Sequence, residues 1–235
     1  FSKWGAVETK PMSNIRRKTA EHLSAAWATI PHVTQFDKAD VTTVEQFRKS
    51  YGKKVEAAGG KLTVTAVLIK IVAMAIDKYP QFASSVDMAN ESLIFKGYRH
   101  IGVAVDTPNG LLVPVIKNAD EKNLLGLSRS VADLAARARS KKLNPEEVQG
   151  GTFTISNPGI FGALFGFPII SQPQVAILGV GTIDKRVVVV DDDMMAIRPM
   201  CYFTLGYDHR LVDGADAGRF LQDVKSRLEA GVFDL

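Results

Sequence analysis

The segment YDHRLVDGAD, residues 207–216, places one histidine among charged residues just before a glycine. The reference pKa of histidine is about 6.5, so His209 can act as a general base near neutral pH. Asp208 and Arg210 flank it, and Asp213 follows four residues later. The same residues also fit a surface group of ion pairs, each of which adds little to stability. The segment alone leaves both interpretations open and slightly favours the surface group.

A metal site is a third interpretation of this segment. His209 and Asp213 can share one face of a helix, but the sequence offers no evident third ligand. The chain contains a single cysteine, Cys201, which gives neither a pair of zinc ligands nor an internal disulfide. We therefore predict no metal, and the lone cysteine indicates a reducing compartment.

Ser156 is a second candidate for chemistry. It ends the segment TFTIS and precedes Asn157 and Pro158, a pattern typical of a strand that enters a tight turn. Its hydroxyl can be a nucleophile, a donor to an oxyanion, or only a turn-former. No G-x-S-x-G elbow surrounds it, which argues against the nucleophile of a hydrolase.

Two other short motifs do not predict function. GVGTID, residues 179–184, is not G-x-G-x-x-G, and no G-x-x-x-x-G-K-[ST] is present, which argues against the common nucleotide-binding loops. Asp37-Lys38-Ala39 is the tripeptide that carries lipoate in lipoyl domains, but here it lies in a predicted strand between two helices. We interpret Lys38 as a solvent-facing strand residue.

The elements that must position these residues follow from periodicity and from Gly and Pro punctuation. Ser13 is a predicted N-cap, and Pro31 ends the first helix. Helices are predicted at 13–30, 44–60, 62–79, 125–141 and 216–228, and strands at 32–41, 92–98, 100–106, 111–116, 152–156, 175–181, 185–190 and 200–207, with a turn at 191–195. The order of elements predicts one domain with helices packed on a mixed sheet.

Bulk properties exclude several classes of protein. With 46% hydrophobic and 23% charged residues in 235, the composition is that of a globular protein and not of a disordered chain or a fibre. The longest apolar run, residues 62–76, contains Lys70 and is too short for a bilayer span. The net charge of +4 is mild, and we interpret the basic clusters at 16–18 and 139–142 as solvated helix surface. We expect a soluble protein that binds neither membrane nor nucleic acid.

Along almost its whole length the sequence resembles the catalytic domain of the dihydrolipoamide acyltransferases, the E2 cores of 2-oxo acid dehydrogenase complexes. The segments that carry the resemblance occur in the family's order: FSKWG, IPHVTQFDKAD, IGVAVDTPNGLLVPVI, GGTFTISNPGIFG, PQVAILGVGTI and YDHRLVDGADAGRF. A lone H-x-x-x-D-G is a weak signal, but these segments in this order are a strong one. The resemblance reverses the preference for a surface charge group around His209.

The resemblance implies a chloramphenicol acetyltransferase-like α/β fold, with a mixed β-sheet flanked by helices and subunits that form trimers. It implies that His209 is the general base, that Asp213 is its companion acid, and that Ser156 hydrogen-bonds to the tetrahedral intermediate. We expect His209 to face Ser156 of a neighbouring subunit. The implied coenzyme A contacts are Arg48, Thr63, Asp106, Ser156, Asn157, Gly181 and Ile183. Ala135 and Ile160 stand where a branched-chain relative has polar contacts and are not carried over.

The implied reaction is acyl transfer, with acetyl preferred, from acyl-dihydrolipoamide to coenzyme A as substrate, with lipoate carried on a separate lipoyl domain. The implied partners are that lipoyl domain, the E1 and E3 components, and further trimers in a 24-mer or 60-mer core. Succinyl or branched-chain transfer, a free trimeric acetyltransferase acting on a hydroxyl, and a non-catalytic scaffold are the alternatives.

We expect residues 1–11 to form an arm and residues 12–235 one acyltransferase domain, with lipoyl and subunit-binding domains absent from the chain. The expected location is the bacterial cytoplasm, or the mitochondrial matrix in a eukaryote.

Overall fold

A computed structural model describes residues 1–232, so the last three residues of the expected 12–235 domain lie outside the described part. The helices in that part are α1 (Asn14–Thr29), α2 (Thr42–Ala57), α3 (Val64–Lys78), α4 (Leu124–Arg139) and α5 (Gly214–Ala230). The strands are β1 (His32–Asp40), β2 (Ser84–Asp87), β3 (Ser92–Phe95), β4 (Ile101–Val103), β5 (Val105–Thr107), β6 (Gly110–Leu112), β7 (Val115–Ile116), β8 (Phe153–Ser156), β9 (Ala176–Val189) and β10 (Met195–Asp208). Within the described residues, no helix is both long enough and apolar enough to span a membrane.

Six strands form one mixed sheet in the order β1, β10, β9, β8, β4, β7. Strands β1, β10 and β9 are antiparallel neighbours, whereas β8 is parallel to both β9 and β4. The hairpins β2–β3 and β5–β6 form separate two-stranded sheets. The predicted class, a mixed sheet with flanking helices, is confirmed.

Helix α3 lies at the centre of the core. Its residues are apolar on nearly every side, and most of them are buried, as the sequence predicted. The Thr63 hydroxyl caps the helix by accepting a hydrogen bond from the Ala66 amide at 3.1 Å. The buried Lys70 donates from Nζ to the carbonyls of Asp120 and Lys122, at 3.0 and 3.1 Å, so its charge is solvated by backbone oxygens.

The face of the sheet opposite α3 carries fewer buried apolar side chains. Ala26 and Ile30, at the end of α1, pack against Ile170 and Ile177. The rest of α1 is mostly exposed, because its sequence lacks a continuous apolar face. This face therefore carries a small second cluster instead of a second core.

The cap of α1 and the exposure of Lys38 agree with the sequence predictions, whereas β9 differs from them. The Ser13 hydroxyl caps α1 by accepting from the Arg16 amide at 3.2 Å, as predicted. Lys38 is an exposed strand residue, as predicted. The separate strands predicted at 175–181 and 185–190 are wrong, because both belong to β9. Between them, Ile183 and Asp184 pair with Cys201 and Met200 on β10, and the register shifts between Cys201 and Phe203 without ending the strand.

Candidate active site

His209 lies in the turn that joins β10 to α5. Its backbone amide donates to the Pro31 carbonyl at 3.2 Å, which ties the turn to the residue just before β1. Its side chain is 44% exposed, so the imidazole is open to solvent on one side. The centroid of its ring lies 5.8 Å from that of the Tyr207 ring. A proton acceptor thus lies just after the end of β10, accessible to a second molecule.

Asp213 lies near this imidazole but is not hydrogen-bonded to it. Its Oδ1 lies 3.9 Å from His209 Nδ1, which is beyond hydrogen-bond length, and its side chain is 83% exposed. Asp213 is the N-cap residue of α5, yet its side chain makes no capping hydrogen bond. Burial, with a smaller contribution from the Asp213 charge, raises the pKa of Tyr207. In this structure the Asp213 carboxylate therefore makes no hydrogen bond with the imidazole.

Asp208 and Arg210 are the residues near this site to which the sequence assigned no role. Asp208 is 1% exposed, and its carboxylate accepts from Arg210 Nε at 3.0 Å and from Nη2 at 2.6 Å. The Asp208 carbonyl also accepts from the Leu211 and Val212 amides, which closes the turn. The available sequence signal was an acidic residue directly after the largely apolar segment 200–207, because a buried carboxylate requires a partner.

Ser156 is the last residue of β8 and borders a cavity of about 550 Å³. The next residue, Asn157, is held by a hydrogen bond from its Nδ2 to the Thr65 hydroxyl at 3.1 Å, which links the strand end to the first turn of α3. Thr63 and Asp106 line the same cavity. Four of the seven predicted coenzyme contacts therefore surround one space: Thr63, Asp106, Ser156 and Asn157.

The remaining three predicted contacts lie close by but outside that space. Gly181 lines a smaller cavity of about 200 Å³ that also reaches Ser156. Arg48 and Ile183 line a third cavity of about 550 Å³. Arg48 Nε donates to the Leu62 carbonyl at 3.1 Å, so its guanidinium is attached to the segment that leads into Thr63.

Two cations of the large cavity were missed by the sequence analysis. Lys61 and Arg139 both line it, one just before α3 and the other at the end of α4. Each lies at the boundary of a predicted helix, but nothing in the sequence indicates that the start of α3 and the end of α4 border the same cavity. Their charges suit the phosphates of a large anionic ligand.

His209 and Ser156 lie at opposite ends of the sheet within one chain. Ser156 pairs with Gly179, and Gly179 pairs with Thr204, so the three residues form one row across β8, β9 and β10. His209 follows Thr204 by five residues along β10. At about 3.3 Å per residue and about 4.8 Å per strand, the two α-carbons are roughly 15–20 Å apart. One chain therefore cannot bring this imidazole and this hydroxyl to the same reacting atom.

Comparison with known proteins identifies close relatives over nearly the whole chain. Residues 5–232 match the family described as 2-oxoacid dehydrogenases acyltransferase (catalytic domain). The acetyltransferase component of the pyruvate dehydrogenase complex of Azotobacter vinelandii is 46% identical over 94% of this chain and 34% of its own length. The corresponding component of Pseudomonas aeruginosa is also 46% identical, over 94% of this chain and 40% of its own length. The chain thus spans well under half of these relatives.

Solved structures agree with this relationship. One is of Azotobacter vinelandii dihydrolipoamide acetyltransferase and concerns the roles of a serine, a histidine and an asparagine in its catalytic mechanism. It is 44% identical to this chain with a TM-score of 0.94, and the match covers 97% of this chain and 93% of that one. The cubic core of a pyruvate dehydrogenase complex also reaches 0.94 at 43% identity, over 97% and 93% of the two chains. Chloramphenicol acetyltransferase, at 12% identity, has a TM-score of 0.57 over 94% of this chain and 100% of its own, which supports the predicted fold alone.

Proposed function

Because this chain belongs to the family of 2-oxoacid dehydrogenase acyltransferase catalytic domains, we propose that it transfers an acetyl group from acetyl-dihydrolipoamide to coenzyme A. The names of its relatives support this reaction. The relatives are longer than this chain, so the lipoyl domain that brings the substrate and the E1 and E3 components are part of the proposal. Likeness to a cubic core supports assembly of this chain into trimers and of trimers into a cube, which particle size would test.

The separation of His209 from Ser156 is the observation that carries the mechanism. Within one chain their α-carbons are roughly 15–20 Å apart, and each residue lies at the end of a strand, where a second molecule can approach it. A second copy that places its Ser156 opposite His209 completes the site. The active site is thus shared between neighbouring subunits, which makes assembly a requirement for catalysis.

Proton transfer is the task of His209. A thiol of ordinary pKa, about 8.5, is mostly protonated at neutral pH, so a base within hydrogen-bond reach raises its nucleophilicity. His209 takes the proton of the coenzyme A thiol as the sulfur attacks the thioester carbonyl of acetyl-dihydrolipoamide. The imidazolium then returns that proton to the departing dihydrolipoamide sulfur. One thioester is formed and one is broken.

Ser156 supplies the other half of the chemistry. Its hydroxyl makes no hydrogen bond with the described residues, so it is available to the oxyanion of the tetrahedral intermediate. One such donor is typically worth about 10²–10³ in rate. Coenzyme A is proposed to occupy the cavity beside it, held by Thr63, Asp106 and Asn157, with Lys61 and Arg139 near its phosphates.

A spacing in the Azotobacter enzyme bears on Asp213. The histidine and the asparagine studied in that protein are four residues apart, as are His209 and Asp213 here. An asparagine carries no charge, so the likeness supports catalysis by His209 that does not depend on a carboxylate at this position.

Mixed trimers test the shared site. His209→Ala and Ser156→Ala homotrimers should each lose activity, but co-assembled trimers contain interfaces in which an intact His209 meets an intact Ser156. Random assortment predicts about a quarter of wild-type activity in the acetyl-transfer assay. Mixing either variant with the His209→Ala/Ser156→Ala double variant is the matched control and should restore nothing. Mixed trimers as inactive as the homotrimers would contradict a shared site.

A further inference from the structure

Gln35 connects strand β1 to the first residue of helix α5. Its Nε2 donates a hydrogen bond to the Gly214 carbonyl at 2.9 Å, although the two residues are 179 positions apart in the chain. A carbonyl oxygen can only accept, so the nitrogen of the Gln35 amide, and not its oxygen, faces Gly214. The segment between His209 and Gly214 is the turn that presents the imidazole.

The register of β1 directs Gln35 toward α5. Residues two apart in a strand share one face. On this face Val33 packs against the main core, and the Asp37 carboxylate lies 3.3 Å from Lys225 Nζ on α5. Gln35 lies between these two residues and is half-buried. Its bond to Gly214 therefore belongs to the packing of β1 on α5 and is not made by a freely moving surface side chain.

The start of α5 has no side-chain cap. The first turn of a helix leaves backbone N–H groups without partners, and the N-cap side chain usually accepts from one of them. Asp213, the N-cap residue here, makes no such bond, and its side chain is 83% exposed. The Gln35 bond thus gives the start of α5 a side-chain contact that its own cap does not supply.

Two glycines allow the Gln35 amide to lie directly on the helix backbone. A Cβ built on Gly214 would lie 3.7 Å from Gln35 Nε2, and one built on Gly218 would lie 3.9 Å from Gln35 Oε1. Gly214 and Gly218 are four residues apart, so they share one face of α5. At these two positions the face carries no side chain, which lets Gln35 reach the Gly214 carbonyl.

Strand β1 also contacts the other end of the same turn. The His209 amide donates to the carbonyl of Pro31, the residue just before β1, at 3.2 Å. The turn is therefore attached to one strand at both ends, at Pro31 through the backbone and at Gly214 through Gln35. Loss of the Gln35 bond would release the end that leads into α5 while the other end stays attached.

We propose that Gln35 is a positioning residue for the general base: by holding Gly214, it fixes the turn and with it the place of the His209 imidazole. This role rests on the proposed acyl transfer and deepens it, because Gln35 acts through His209. Gln35 does not belong to the described lining of the cavity assigned to coenzyme A. Its loss should therefore affect the chemical step and not the binding of the coenzyme.

Gln35→Met and Gln35→Glu test the bond. Both variants keep the length of the side chain, but at neutral pH neither can donate to the Gly214 carbonyl. Each should lower the kcat for acetyl transfer by about tenfold to a hundredfold, because a small misplacement of a reacting group can cost that much. The KM for coenzyme A should stay within about twofold of the wild-type value. A wild-type kcat in both variants would overturn the role of the bond.

Asp37→Asn is the matched control. It removes the charge that faces Lys225, on the same face of β1 and the same helix but away from the turn. Its kcat should remain within about twofold of the wild-type value, since such a pair contributes little. All kcat values refer to assembled particles isolated by sedimentation, so a loss of folded protein does not contribute. Equal losses in Asp37→Asn and Gln35→Met would overturn the positioning role, because general docking of β1 on α5 would explain both.

A double variant shows whether Gln35 acts through the imidazole. In a His209→Gln background, Gln35→Met should not lower the residual kcat further. A further loss as large as in the wild-type background would overturn the inference. Undiminished activity of His209→Gln would reject the proposed function and this role with it. Loss in His209→Gln together with a wild-type kcat in both Gln35 variants would reject the role of Gln35 alone.

Discussion

Arg210 and Asp208, the two chain neighbours of His209, form an ion pair, with the guanidinium nitrogens Nε and Nη2 at 3.0 and 2.6 Å from the Asp208 carboxylate. Because Asp208 is 1% exposed and Arg210 remains partly exposed, the pair connects the buried end of β10 to the surface. His209, the residue between them, is thereby held just after the end of β10 with its imidazole partly exposed.

Asp208→Ala should destabilise the protein by about 1.5–3 kcal/mol, because it removes a buried carboxylate that accepts hydrogen bonds from the backbone amide and the guanidinium of Arg210. Chemical denaturation of the assembled protein measures this loss. Glu21→Gln is the control, since the exposed Arg17–Glu21 pair should contribute no more than about 0.5 kcal/mol. Similar effects of the two substitutions would contradict a structural role for Asp208.

Substitutions of His209 and of Asp213 should have different effects on kcat. His209→Gln should lower kcat by about 10²–10⁴, the usual contribution of a general base. Asp213→Asn should lower it by less than about tenfold, because the 3.9 Å separation from His209 Nδ1 includes no hydrogen bond. Comparable losses in both variants would assign Asp213 a direct part in orienting the imidazole.

His100 should make stability depend on pH. Burial lowers the pKa of His100, and its Nδ1 accepts a hydrogen bond from the backbone N–H of Asn118 at 3.1 Å, so the folded state favours the neutral ring. Its contribution is complete above the unfolded pKa of about 6.5 and is lost as the pH falls from there through the lowered folded pKa. His100→Asn keeps an acceptor but cannot titrate. Between pH 7 and 5 the free energy of unfolding of His100→Asn should fall less than that of the wild type. Equal falls in the two proteins would refute the contribution of His100 to the pH dependence of stability.

Cys201 should be inert in the folded protein. Burial raises the pKa of its thiol to about 12, so almost no thiolate forms at pH 8. A thiol reagent should therefore modify the native protein very slowly and the protein in guanidinium completely, as followed by absorbance and mass. Rapid modification before any loss of secondary structure would show that the β10 strand opens locally.

The helices and the strands β1, β3 and β8 were predictable because their signals are local. The strand predicted at 100–106 divides into β4 and β5, the one predicted at 111–116 divides into β6 and β7, and β2 was not predicted. The Ser13 cap, the apolar helix α3 and the break at Pro31 are each set by a few neighbouring residues. The continuity of β9 was not predictable, because its polar middle stays in a strand only through pairing with β10. The large cavity was partly predictable by resemblance, which brought Thr63, Asp106, Ser156 and Asn157 together but gave no sign of Lys61 or Arg139.

The sequence by itself determined the family, the class of fold and the candidate residues His209 and Ser156, because these depend on residue types in a fixed order. Only the tertiary structure decided which residues are neighbours. Strand register places Thr204 across Gly179 from Ser156 and puts His209 at the far end of the same sheet. Register follows from long-range hydrogen bonding and from which face of each strand is buried, and neither is written in a local motif. For the same reason, the pairing of Asp208 with Arg210 emerged only when the burial of β10 was known.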